Sequence, residues 1–224
     1  MVQRLMLALM APALLLGCSS TRTVRVEVPP RVDLANYQTI GLVGFHSNKG
    51  DDLAHLSTQR FLRAMQSAQP GTQVLELGTE AQVLASVNQK SWTPAAFRAV
   101  KELAGVDAVF VGSLSVEKAK PEISISSFLN KMSVRADVNS ALAAKLYETE
   151  KGATVWSDSA ELTANVASAG VNSRGGGYLD VTDPESIYGK MIDDLVFQIS
   201  DDFRTHYVTR RVPKEQIETA SGRD

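Results

Sequence analysis

The sequence predicts an α/β fold of the mixed α+β kind. It is a mixed sheet in the order β-α-β-α-α-β and then β-β-α, with helices packed on the sheet. Three observations carry this. Short apolar runs such as "YQTIGLVGF" and "VDAVFVGSL" read as buried strands. The segments between them repeat apolar residues at helical spacing. From Met132 onward the pattern changes to strict alternation, the mark of a half-buried strand pair, so a sheet covered by helices is the economical arrangement.

In chain order, "YQTIGLVGF" gives the first strand of the domain, at about 38–45. "HSNKGDD" is a turn, with Asp51 or Asp52 expected to cap the next helix. That helix runs from Leu53 with Leu56, Phe61, Ala64, Met65 and Ala68 on one side, and "QPG" at 69–71 ends it. "TQVLEL" is a strand. Thr79, with Gln82 three residues on, fits a capping box. Thr93-Pro94 opens another helix with proline at its first position, Phe97 and Val100 lie on its stripe, and Gly105 stops it. Trp92 beside that start is read as a staple for the helix.

"VDAVFVGSLSVE" is a third strand, apolar enough at its start to be central. The alternation of Met132, Val134, Ala136, Val138, Leu142, Ala144 and Leu146 with polar residues is a long strand. "ETEKGAT" turns the chain and "VWSDSAELTAN" returns antiparallel, with Trp156 facing core or sheet surface. "SAGVNSRGGGYLD" reads as a mobile loop in which Arg174 and Tyr178 are the candidate contacts to a partner protein. Asp183-Pro184 opens the last helix, with Tyr188, Met191, Ile192, Leu195, Ile199 and Phe203 at helical spacing and His206 near its end.

The first thirty residues carry the clearest signal. Arg4 is a lone positive charge, Leu5–Leu16 are apolar, and Gly17 precedes Cys18. Twelve residues reach only about 18 Å as a helix, short of a bilayer core of about 30 Å. Leu15-Leu16-Gly17-Cys18 resembles the lipobox of bacterial lipoproteins. That resemblance implies that Cys18 is lipidated and acylated, that the signal is cut before it, and that the protein is held on a membrane. Ser19 and Ser20 do not match the aspartate that retains such proteins at the inner membrane, so the resemblance implies the periplasmic face of the outer membrane.

Residues 1–17 are then a signal peptide, 18–37 a lipidated cysteine and flexible tether, 38–208 one periplasmic α/β domain and 209–224 a polar tail. Within the tether, Val24, Val26 and Val28 alternate with Arg25 and Glu27, a short strand that Pro29-Pro30 stops. The basic "TRTVRVEVPPR" is read as a solvated linker, with attraction to anionic head groups as the alternative.

Cys18 is the only cysteine, so the mature chain has no disulfide and no thiol nucleophile. Losing Arg4 from the 23 basic residues leaves 22 against 25 acidic ones, a surface with no general attraction for nucleic acid. His46 follows a strand end beside Asp51 and Asp52, a place where a metal or acid-base site could form. His55 lies off its helix's apolar face. No HExxH pair, Cys/His cluster or G-x-S-x-G elbow is present, and Gly44 to Gly50 lacks the Gly-Lys-Ser/Thr ending of a phosphate loop. The sequence therefore implies no cofactor and no catalytic residue.

"VDAVFVGSL", the long strand after it and "AKLYETEKGATVWSDSAEL" together resemble a pattern in three periplasmic groups. These are the curli-secretion lipoproteins, the amino-terminal domain of the TolB translocation protein, and the lipoprotein activators of penicillin-binding proteins. The resemblance implies a non-enzymatic module that binds an envelope protein in assembly, secretion or cell-wall synthesis. Two alternatives stay open: a homo-oligomeric outer-membrane secretion pore, with residues 132–146 as spanning strands, and an envelope-polymer enzyme using Asp51, Asp52 or Glu117.

Overall fold

The computed structural model describes residues 21–117, 120–126, 131–171, 177–181 and 184–213. Two compact units emerge, one built from the two ends of the chain and one from Pro29–Thr205. In the first, β1 (Thr21–Val28) pairs antiparallel with β10 (His206–Pro213), from Thr21↔Pro213 to Val28↔His206. The valine alternation at 24, 26 and 28 is thus a strand, as its spacing predicts.

The second unit is a mixed sheet with two helices on each face. Its strands are β2 (Ile40–Gly44), β3 (His46–Ser47), β4 (Val74–Thr79), β5 (Ala108–Val116), β6 (Lys120–Ser126), β7 (Lys131–Glu148), β8 (Thr154–Val171) and β9 (Gly177–Val181). The sheet order is β4-β2-β5-β7-β8-β9, with β3 beside β5 and β6 beside β7. β4, β2 and β5 run parallel, and everything from β5 to β9 pairs antiparallel. β5 is central, as its apolar composition predicts.

The helices α1 (Asp51–Ala68) and α4 (Pro184–Ile199) cover one face, where Phe61 and Met65 meet Leu42, Phe110, Leu142 and Leu195 in the main core. The other face takes α2 (Glu80–Ser86) and α3 (Pro94–Ala104), which pack Val83, Phe97 and Val100 on Val43 and Val109. The local signals work as expected. Thr79 and Gln82 form a reciprocal capping box, Thr93 accepts from the Ala96 N–H, and Gly105 closes α3 at φ 69°. Trp92 stacks on Phe97 at 4.9 Å, and Phe97 on Tyr147 at 4.5 Å. Trp156 is buried, and its indole N–H donates to Asp202 at 3.1 Å.

Four expectations need correction. Neither Asp51 nor Asp52 caps α1. Gly50, at φ 120°, takes the cap position, and the two carboxylates fall in the first turn, where the helix dipole favours them. Much of "SAGVNSRGGGYLD" is strand, because β8 continues to Val171 and Gly177–Val181 forms β9. Strand β6 lies where the sequence pattern predicts no element. His206 starts β10 and does not end a helix. The extra length of β8 is absorbed by register shifts between Ala136/Asp137 and Leu146/Tyr147. At the second, Val155 is the additional residue, which explains why a valine there is 45% exposed.

Gly112 shows how closely the sheet and core are fitted. A Cβ there would lie 2.6 Å from the ring of Phe45, itself buried and 5.1 Å from Phe61. Gly112→Ala is therefore expected to cost about 1–3 kcal/mol by overpacking, read as a lower urea midpoint at unchanged slope.

Candidate functional site

The hairpin β7–β8 is the feature that departs most from an ordinary domain. Each strand has 18 residues, against about 5–6 for a typical strand. On β7 the main core takes up Val138, Leu142, Ala144 and Leu146. Beyond Val138 the hairpin continues, flanked by β6 on one side and β9 on the other.

Register assigns this four-stranded blade two chemically distinct faces, because residues directly opposite each other share a face. Three rows are largely apolar: Pro121–Ala136–Ala167–Val181, Ile123–Val134–Ala169–Leu179 and Ile125–Met132–Val171–Gly177. The rows between them are Glu122–Arg135–Ser168–Asp180 and Ser124–Ser133–Gly170–Tyr178. The apolar rows continue the face that α4 covers further along. Yet Val134, Ala136, Ala167 and Ala169 are only half-buried and belong to neither core cluster. β6 and β9 each pair on one side only among the described residues, so both are edges able to accept an added strand.

A second feature lies where the parallel strands end. A cleft of about 460 Å³ opens at the carboxyl ends of β2 and β4, lined by His46, Asp51, His55, Glu76 and Glu80 among others. Ligands in α/β sheets commonly enter there. The wall is fixed by Thr58, whose hydroxyl accepts from the buried Phe45 N–H and donates to the Ala54 carbonyl, both at 2.8 Å. Glu76 is already engaged by Gln59 at 2.8 Å. Among the described residues no group of three or more His, Cys, Asp or Glu side chains could hold a metal ion.

The residues singled out in sequence are thus distributed as follows. His46 and Asp51 do share the cleft, joined by His55, Glu76 and Glu80, which sequence spacing did not bring together. Asp52 is exposed in the first turn of α1. Glu117 lines a different depression, on the sheet, where Asn139 donates to it at 3.2 Å. Cys18 and Arg174 lie outside the described residues. Tyr178 occupies the edge strand β9, opposite Gly170. The only sequence signal for β6 was the Ile123/Ile125 alternation, broken early by Pro121.

No protein-family model matches the chain, and no curated protein matches it. Solved structures do. PelC from Paraburkholderia phytofirmans, described as a dodecamer, is 11% identical over 82% of this chain and 98% of its own, with a TM-score of 0.43. Lipoprotein GNA1162 from Neisseria meningitidis is 18% identical over 72% of this chain and 97% of its own, at 0.35. The LpoB carboxy-terminal domain from Salmonella enterica is 12% identical over 60% of this chain and 84% of its own, at 0.33. The structural neighbours include bacterial lipoproteins.

Proposed function

We propose that this chain is an envelope lipoprotein, held through lipid on Cys18 at the periplasmic face of the outer membrane, whose Pro29–Thr205 unit docks a protein partner without catalysing a reaction. The "LLGC" sequence supports the anchor. The observation that carries the docking reading is the blade, where Val134, Ala136, Ala167 and Ala169 lie outside both core clusters with two strand edges beside them. Apolar surface left beyond a core in this way marks an interaction site.

A photoreactive amino acid placed at position 169, in the middle apolar row, in the native host tests this directly, with position 98 on exposed α3 as control. A discrete adduct with one envelope protein at 169 and none at 98 is expected. Adducts at 98 alone would contradict the blade as the docking surface.

The homo-oligomeric pore is the second reading, favoured by the alternation of the blade's rows. A spanning strand needs about 9–11 residues. β7 and β8 are long enough, but α4 covers their inner part, while β6 and β9 have 7 and 5 residues. The docking reading needs no further strand length.

A further inference from the structure

The two-stranded ribbon of β1 and β10 carries four arginines and one glutamate, and they are not spread evenly. Arg22, Arg25, Arg210 and Arg211 all fall within the five register rows nearest Thr21↔Pro213. Glu27 sits at the other end, opposite Tyr207. The faces differ too. Val24, Val26, Val28, Val208 and Val212 share one with Arg22, Arg210 and His206, which stand opposite Val212, Val24 and Val28 in turn. Arg25 and Tyr207 share the other, the guanidinium 4.3 Å above the ring. Val208 is 38% exposed.

We infer that this ribbon is a membrane-surface element: its basic end binds anionic phospholipid head groups, and its valine face enters the bilayer interface. This rests on the anchor at Cys18 proposed above. Only Ser19 and Ser20 separate Cys18 from the strand, so Thr21 lies within about 11 Å of the lipidated residue. That is close to the Debye length of about 8 Å at physiological salt, so an anionic surface at the anchor is felt by the basic end, while Glu27 lies on the face opposite the valines. The charge gradient runs in the direction the anchor requires. A lone two-stranded ribbon is also marginal in water and gains from a surface that covers one face.

Cys18 is the only cysteine and would be blocked by lipid, so Val208→Cys offers a single free thiol for an environment-sensitive fluorophore. Thr209→Cys places the same probe on the opposite face. The lipidated protein is reconstituted in vesicles of phosphatidylcholine alone or with about 30% phosphatidylglycerol. At 208 emission is expected to rise several-fold and shift to the blue in anionic vesicles only, and to revert in about 1 M salt; at 209 it should stay as in water. Arg210→Ser with Arg211→Ser should abolish the response at 208. Equal emission from 208 in both vesicles would overturn the inference.

Intact mass of the same preparation reads the lipid on Cys18 separately. Should the cysteine be unmodified, the anchor fails and the ribbon is scored alone by cosedimentation. Binding to anionic vesicles should then fall about fivefold per arginine removed, and no binding to them would overturn it.

Discussion

Phe110→Ala is expected to remove about 3–5 kcal/mol from the stability of the Pro29–Thr205 unit. Phe110 is 1% exposed on the central strand β5 and touches three other rings. Phe61 on α1 lies at 5.1 Å, Phe203 after α4 at 5.8 Å and Trp156 on β8 at 6.1 Å, all edge-on. Its side chain therefore joins α1 and the turn after α4 to the central strand and to the antiparallel part of the sheet. Truncation removes the transfer free energy of a ring and leaves a cavity whose walls come from rigid elements on three sides, so little collapse can offset it. Since a domain is stable by only about 5–15 kcal/mol, thermal unfolding should begin at least about 6 °C lower. Phe110→Leu, which keeps most of the volume, should lose markedly less. A loss below about 1 kcal/mol for the alanine variant would show that the ring cluster does not hold the layers together.

Cys18→Ser should abolish stable attachment to the outer membrane. Each buried methylene contributes about 0.8 kcal/mol, so a single chain holds marginally and two or three hold almost permanently. The serine hydroxyl cannot form the thioether that the lipobox resemblance implies. The apolar run Leu5–Leu16 is then left uncleaved and is too short to act as an ordinary spanning anchor. Intact mass should show loss of the lipid and retention of residues 1–17, and fractionation should move the chain out of the outer membrane. Identical mass and fraction for the two proteins would contradict the anchor.

The features legible in sequence are those with a local cause. The Thr79/Gln82 box, Pro94 at a helix start and Gly105 at its end depend on hydrogen bonds or backbone angles within a few residues, and all three stand in the structure. The long alternation from Met132 to Leu146 was readable because its inner part is half-buried along one face. What stayed hidden has distant partners or a misleading composition. Thr21 pairs with Pro213 across nearly the whole chain, so the basic ends of β1 and β10 could not be seen as one surface. The serines and glycines of 168–177 made the segment leading into β9 look like a loop, although the pairing of β9 with β8 fixes it as a strand. Asp51 and Asp52 have the composition of a cap and serve the dipole instead. The cleft combines residues from three segments, 42–47, 51–58 and 76–82, of which sequence proximity disclosed only His46 with Asp51.

The docking surface is tested most directly by titrating the protein captured from position 169 against the wild type and Val134→Asp. Val134 lies in the middle apolar row, half-buried and outside both core clusters, so a charge there should leave the melting temperature within a few degrees of the wild type. Affinity should fall about thirtyfold or more, as for a residue central to an interface. Equal affinity for the two proteins would place the partner elsewhere and contradict docking through the blade.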